Sequence, residues 1–594
     1  MSRILSFGRN LLRFGSKPQP IPGAPIPSSS ESAERGLGLR NALILASFTA
    51  TLLAWQLGSA RTITVHEGYV VEGAREMLTT GDWLVPRIGG EPWLEKPPLA
   101  HWFVSTSMWL FDDTGEFAAR LPSALCGLIG VLIFASLIAR YCGPTTGLLA
   151  GLIQATTISF VTYARLAEAD IYLWVLVIGA LAVFTRNQIE PVGQLRWFNG
   201  RLMFFALLGL TQLTKGPMFG AVLVMAPVLG FLFSQPNRTS FLWLLNVPGI
   251  LIFAVIACAW PFFIAQNHPE AITLWAQHTF GRLTEECVNP KPFWYYFSIL
   301  PWQIFPWTLA VLPALPASIR RAWNEPRSLD RLFCLWFVLP LLLLSVPRGK
   351  HHHYLLHSLP PCSYWAALGL VWWARTVGQI WQRPLWRWSI VLGIVAASAG
   401  AASWAFLKMP RSVGIEFIIA GIALLVGTVL IMRHCASGRY RFAAGAMFVL
   451  LWGIHSYIHA CWQHRTDGRY RESVLLKRVP LQVEENARVM IFAENPAISL
   501  YYSGRPVETA LELSDARPRQ DEPVYLLCQV TWEADLRRIY TLDRIDESSP
   551  PLAFPGQRAT LALYRIHGPI HAHTASMKPN VADEVASRGP STTP

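Results

Sequence analysis

Apolar runs near the ~20 residues that cross a bilayer as one helix recur along most of this sequence, separated by short polar stretches. Hydrocarbon offers no hydrogen-bond partners, so each run must close its backbone bonds within itself. Windows fall at 42–58, 117–139, 145–163, 171–185, 202–214, 218–234, 241–263, 297–316, 332–347, 354–374, 388–407, 414–432 and 442–460. That makes about thirteen spans, an odd number that places the two termini on opposite sides. Charged residues are only 15% of the chain, against about 25% in a soluble domain.

The net charge of +13 does not mark a nucleic-acid binder. The basic residues sit between apolar runs rather than on one stripe, and Arg gathers in alternate loops, as the positive-inside rule requires. Arg35 and Arg40 precede the first span and put the N-terminus in the cytoplasm. The 25 Trp suit the membrane interface. Nine Cys without a CxxC pair read mainly as small buried hydrophobes.

Residues 1–40, rich in Pro and Ser, read as a disordered cytoplasmic tail, and 569–594 as a second disordered tail. Residues 41–463 form the membrane domain, with a large first outer loop at 60–116 that holds helices lying on the membrane. From 465 to 568 the pattern changes. RVMIFA, PVYLLC and ATLALYRI are strand-like, while NPAISLYYSG and WEADLRRIY are helix-like. The expected fold is an all-α polytopic membrane protein with a small C-terminal extracytoplasmic α/β domain.

This topology collects ionisable residues on the outer face. The first outer loop holds His66, Glu67, Glu72, Arg75, Glu95 and Lys96. The second holds Arg165, Glu168 and Asp170, the third Lys215, the fourth His278, Arg282 and Lys291, and the fifth Arg348, Lys350, His351–His353 and Tyr354. Ionisable groups at membrane depth are costly, which makes them functional candidates. HEGYVVEGAREML has apolar pairs at Tyr69/Val70, Gly73/Ala74 and Met77/Leu78, a helical stripe with His66 and Glu67 at its start. Glu67 is there either a capping acid or a group turned into a cavity. In EKPPL two prolines stiffen the backbone beside Glu95 and Lys96. Lys215, in TKGP, is placed either for a lipid phosphate or for snorkelling to headgroups. No Gly-rich phosphate loop is present for a soluble nucleotide sugar.

The order AREML, GDWLVP, EKPPL, FAARLPSAL, an Arg…Asp turn, TKGP and a closing S-x-x-x-x-K-x-x-x-Y-x-L stretch resembles the bacterial members of the protein O-mannosyltransferase superfamily. Within it, the likeness is greatest to the lipid A aminoarabinose transferases. The resemblance implies a GT-C fold in the plasma (inner) membrane with the C-terminal domain outside. It also implies an inverting transfer of sugar from a polyprenyl-phosphate carrier to a glycolipid or protein acceptor. By the same resemblance, Asp170 is the acid of the second outer turn. Lys96, Lys215, Arg282, Lys350 and Tyr354 surround the donor phosphate, and Glu95 with His278 holds a divalent metal, zinc or magnesium. The family usually begins its first outer helix with Asp-Glu, whereas this chain has His66-Glu67. Glu67, His66 or Asp170 is then the group that orients or deprotonates the acceptor. Rival readings are a flippase or transporter of lipid-linked sugars and a catalytically inactive lipid-sugar binder.

Overall fold

Proline and polar pairs decide where the apolar runs break. In the computed structural model, which describes residues 36–59, 61–190, 194–216, 219–280, 290–408, 411–459, 467, 469–517, 522–548 and 560–569, every expected window overlaps helix. The window 297–316 holds Pro301, Pro306, Pro313 and Pro316. It splits into the short helices Tyr295–Gln303 and Thr308–Val311 followed by Leu315–Asn324, since each proline removes an amide donor and crowds the preceding turn. The window 145–163 breaks at Thr156 and Thr157, whose hydroxyls turn back onto the carbonyls of Leu152 and Ile153. Among the described residues five helices are long and apolar enough to cross a membrane: Glu116–Cys142, Ala169–Ile189, Val247–Asn267, Pro384–Ala401 and Ile415–Ala436. A sixth follows if Leu315–Asn324 and Leu329–Ser345, bent by 108°, form one span. The tails expected at 1–40 and 569–594 lie almost wholly outside the described residues.

The first apolar helix, α1 (Leu39–Ala54), leads into the loop expected on the outer face. That loop contains α2 (Val65–Thr80), a hairpin of β1 (Arg87–Ile88) and β2 (Glu91–Pro92), and α3 (Leu99–Phe111). On α2 the expected stripe is buried at Val70, Gly73, Ala74 and Met77. On α3 the exposed Phe103, Trp109, Leu110 and Phe111 form an apolar face suited to lying on a bilayer. Three helices then frame the site: α4 (Glu116–Cys142), α5 (Ala169–Ile189) and α6 (Gln194–Lys215), with α7 (Phe219–Phe233) beside them. Gly130 of α4 lets the Trp174 ring of α5 lie against the backbone, where a Cβ would collide with it. Small residues at helix crossings bring spans this close in lipid.

The C-terminal part begins with Tyr470–Gln482 and carries a five-stranded sheet. Its strands are β3 (Arg488–Phe492), β4 (Glu508–Ala510), β5 (Val524–Gln529), β6 (Tyr540–Glu547) and β7 (Leu561–Pro569), in the order β4-β3-β5-β7-β6. The pairs β3/β4 and β3/β5 are parallel, and β7 runs antiparallel to β5 and β6. Helix α8 (Pro496–Ser503) follows β3 and packs directly on α2. One apolar core runs unbroken from the membrane helices through Val71 and Ile498 to Ile491, Leu527 and Leu563 of the sheet.

Candidate active site

Helix α2 is fixed at its N-terminus by its own sequence. Thr64 caps it, its hydroxyl accepting from the Glu67 amide (3.1 Å), while Glu67 Oε2 accepts from the Thr64 amide (2.9 Å). This reciprocal box satisfies two otherwise unpaired donors. The same carboxylate meets Arg120, whose Nε donates to Oε1 (2.8 Å) and Nη2 to Oε2 (3.0 Å), and it also accepts from the Ala167 amide (2.9 Å). The remaining N–H groups of Arg120 go to the carbonyls of Leu57, Arg61 and Thr62. All five guanidinium donors are therefore used, and both side chains are closed to solvent. Burial alone opposes ionisation of Glu67, but the Arg120 guanidinium holds its carboxyl below the usual range.

One turn away a cluster of polar groups comes together. Lys215, the last residue of α6, places Nζ 2.6 Å from Asp170 Oδ1 in the first turn of α5, and His357 Nε2 lies 3.7 Å from the same oxygen. The ammonium also stands 5.0 Å from the centre of the Tyr354 ring and 5.5 Å from that of Phe219, within cation–π range. His66 projects from the start of α2 toward the 350s turn, its ring 6.5 Å from His351 and 6.2 Å from His353. Tyr163 closes the same wall, 5.7 Å from His353.

Lys96 faces this group from the β2–α3 connection. Burial is the main cause that lowers its pKa, and repulsion from Lys215 adds to it, while Asp170, Glu168 and Glu95 pull the other way. Its ammonium lies 5.9 Å from the Trp93 ring, which stacks on Tyr69 at 5.5 Å. His66 is exposed, yet desolvation by its crowded surroundings, then Lys96 and His351, lower its pKa to about 4, so its imidazole is neutral at pH 7. Glu168, immediately before α5, is raised to about 7 by burial, then by Asp170 and Glu67. The cluster thus holds two cations, a carboxylate tied to one of them, and groups able to take a proton near neutrality. Such a set can grip a phosphate and handle a hydroxyl proton beside it.

The sequence pattern of the dolichyl-phosphate-mannose-protein mannosyltransferase family matches residues 95–264, the stretch that carries Lys96, Asp170 and Lys215. Over 328 residues the chain is 30% identical to an undecaprenyl phosphate-alpha-4-amino-4-deoxy-L-arabinose arabinosyl transferase of Serratia proteamaculans, covering 54% of this chain and 57% of that relative. The chain thus spans less than two thirds of that relative. The enzyme of the same name in Pectobacterium carotovorum is 28% identical over 443 residues, 70% of this chain and 76% of its own. The crystal structure of ArnT from Cupriavidus metallidurans bound to undecaprenyl phosphate superposes with a TM-score of 0.73 at 16% identity, covering 89% of this chain and 98% of that one. The chain shares the fold of that structure and is similar in sequence to these transferases.

In this chain the fold brings together His66, Lys96, Asp170, Lys215 and Tyr354. The expectation that Glu67 orients or deprotonates an acceptor is corrected. Its two oxygens are taken by Arg120, Thr64 and Ala167, so it is the capping acid of α2 and the anchor of Arg120. Lys350 is also relocated, to a separate cleft of about 350 Å³ lined by Lys291, Phe293, Val346 and Arg348. There its ammonium donates to the carbonyl of Lys291 (3.1 Å) and to that of Pro347.

Arg282 and the side chain of His278 lie outside the described residues. Glu95 is exposed, and among the described residues no three His, Cys, Asp or Glu side chains gather as metal ligands. The described part of the proposed metal pair is one carboxylate, too few for a closed site. Sequence reasoning singled out neither Arg120 nor His357. An arginine early in an apolar span was the readable signal for the first. Glu168 was already among the candidates of the second outer loop, two residues before Asp170.

Proposed function

We propose that this chain is an inverting glycosyltransferase that takes a sugar from a polyprenyl-phosphate carrier, undecaprenyl phosphate in the relatives' case, at the outer face of the plasma membrane. The observation that carries the reading is the meeting of Lys96 and Lys215 in one cluster with Asp170 and the neutral His66. In the reaction an acceptor hydroxyl forms a bond to the anomeric carbon. The bond from that carbon to the phosphate oxygen breaks, and its electron pair leaves with the phosphate. Lys96 and Lys215 neutralise the charge that grows there, which is where fixed cations in a dry site are worth most. Tyr354 holds the Lys215 ammonium against its ring face.

The acceptor is a lipid A-like glycolipid, with a protein as the second class. The chain crosses the membrane about thirteen times, with its N-terminus in the cytoplasm and the sheet domain outside. Zinc or magnesium between Glu95 and His278 belongs to this reading as a bound ion to be assayed by metal analysis of the purified protein, and no step above needs it.

The test uses the full chain in nanodiscs with undecaprenyl-phosphate 4-amino-4-deoxy-L-arabinose as donor and lipid A as acceptor. Release of undecaprenyl phosphate with appearance of glycosylated lipid A is the expected result. Movement of intact donor across a vesicle bilayer without release would make the chain a flippase. Tight binding with neither outcome would make it a lipid-sugar binder.

A further inference from the structure

Glu168 sits where a helix N-cap residue should sit, yet its side chain makes no capping bond to α5. The carboxylate turns instead to the start of α2, where Oε1 accepts from the Thr64 hydroxyl at 3.1 Å. Among the described residues that is its one hydrogen bond, and 7% of the residue stays open. The main chain around it is held independently. The Ala167 amide is tied to Glu67, and Arg165 donates to the carbonyls of Leu52, Leu53 and Trp55. A buried carboxylate that neither caps its helix nor forms an ion pair is costly to keep, and here it is kept beside Asp170, Lys96 and Lys215.

We propose that Glu168 is the catalytic base that takes the acceptor hydroxyl's proton, in the place left by the missing acid of the first outer helix. The inference rests on the transferase reading above. The acceptor O–H bond breaks with its proton passing to the free oxygen of Glu168. The acceptor oxygen bonds to the anomeric carbon, and the phosphate leaves with the electron pair toward Lys96 and Lys215. The two acids that act on it are engaged, Glu67 by Arg120 and Asp170 by Lys215. The groups that set the ionisation of Glu168 are Asp170 in the first turn of α5, Glu67 on α2, Lys96 before α3 and Lys215 at the end of α6, with Tyr163 facing it from the short helix Ile158–Tyr163. Burial and the two acids hold it near 7, where a general base works best.

The test compares Glu168→Gln and Glu168→Asp with the unaltered full chain in nanodiscs, using the donor and lipid A above. Glu168→Gln is expected to lower kcat by about 100- to 10,000-fold while the Kd for undecaprenyl phosphate changes by less than about threefold. The acidic limb of the kcat/KM profile should move in Glu168→Asp and vanish from the residual rate of Glu168→Gln. Turnover by Glu168→Gln within about threefold of the unaltered chain, or an unmoved limb, overturns the base assignment and leaves the transferase reading standing. Loss of carrier binding in parallel with kcat overturns it too, by making Glu168 a positioning residue. An unaltered chain that neither binds undecaprenyl phosphate nor turns over overturns the transferase reading, and the base with it. A second readout needs no acceptor. A hydrophobic carbodiimide at pH 7 should modify Glu168 and spare Glu67, with undecaprenyl phosphate protecting. Modification absent at Glu168, or unaffected by the carrier, counts against the proposal.

Discussion

Lys215 and Asp170 are 45 residues apart in sequence and 2.6 Å apart in space, an ion pair between the last residue of α6 and the first turn of α5. On the transferase reading, the aspartate keeps the ammonium in place and half-neutralised until a stronger anion arrives. A doubly charged phosphate then competes with one carboxylate. Lys215→Met is expected to weaken undecaprenyl phosphate binding by about 10- to 100-fold, the ~1.5–3 kcal/mol of a charged hydrogen bond. Because that variant leaves Asp170 buried without its cation, Asp170→Asn with Lys215→Met provides the control. It should fold better than the single variant and bind the carrier no more tightly, as measured by fluorescence titration in nanodiscs.

The Glu67–Arg120 knot makes a different prediction for a residue that sequence alone offers as a base. Glu67→Gln leaves the Arg120 charge buried without a counter-ion, which typically costs about 3–5 kcal/mol. The variant should lose its folded state several degrees lower in a detergent melting assay. Pairing it with Arg120→Met should recover part of the loss, since two neutral side chains leave no orphaned charge. Per folded molecule, the activity of Glu67→Gln should fall far less than that of Glu168→Gln. An unchanged melting temperature together with abolished turnover would reverse these two roles.

Why Glu67 is legible as structural only in three dimensions follows from what each feature depends on. The spans, the stripe on α2 and the strands RVMIF, VYLLC and LALYRI are local patterns, read from hydropathy and alternation within a few residues. The convergence of Lys96, Asp170 and Lys215 is also readable, because a topology with alternating loops puts them on one face. The fate of Glu67 is not, since its main partner is 53 residues away and donates from inside a span. Nor is the placement of Lys350. It stands only one short turn before Tyr354, whose ring faces Lys215, yet its own ammonium turns to a separate cleft through the carbonyls of Lys291 and Pro347. Side-chain direction within a loop has no sequence period to reveal it.

His66 and Glu168 should tilt stability in opposite directions with pH. The folded-state pKa of His66 is lowered to about 4 from 6.5, so between those values the unfolded chain binds more protons. Its contribution is then present above pH 6.5 and lost as the pH falls toward 4. Glu168 is raised to about 7 from 4.5. The folded chain binds more protons in that window, and its contribution is present below 4.5 and lost as the pH rises through 7. Melting temperatures at about pH 5 and about pH 7.5 check both. Relative to the unaltered chain, His66→Asn should gain at the lower pH, and Glu168→Gln should gain at the higher.

The sheet domain fixes the start of α2, and therefore His66, through a few hydrogen bonds. Tyr502 of α8 accepts from the Ile63 amide (2.8 Å) and donates to Glu116 (3.1 Å), while Asn495 donates to the Tyr69 hydroxyl (3.0 Å). Gly68 lies so close to α8 that a Cβ there would stand 3.1 Å from Ile498 Cγ1. Tyr502→Phe leaves the buried Ile63 amide without a partner, a loss of about 1–3 kcal/mol. Because the surrounding rings and the apolar core remain, the loss should be local rather than global. Hydrogen exchange should rise over residues 61–69 with little change in β3 or β5, and KM for the donor should rise more than kcat falls. Gly68→Val, which pushes α8 off α2, should do the same more strongly. Equal exchange increases across the sheet would mean that Tyr502 supports the fold of the whole domain rather than the seat of His66.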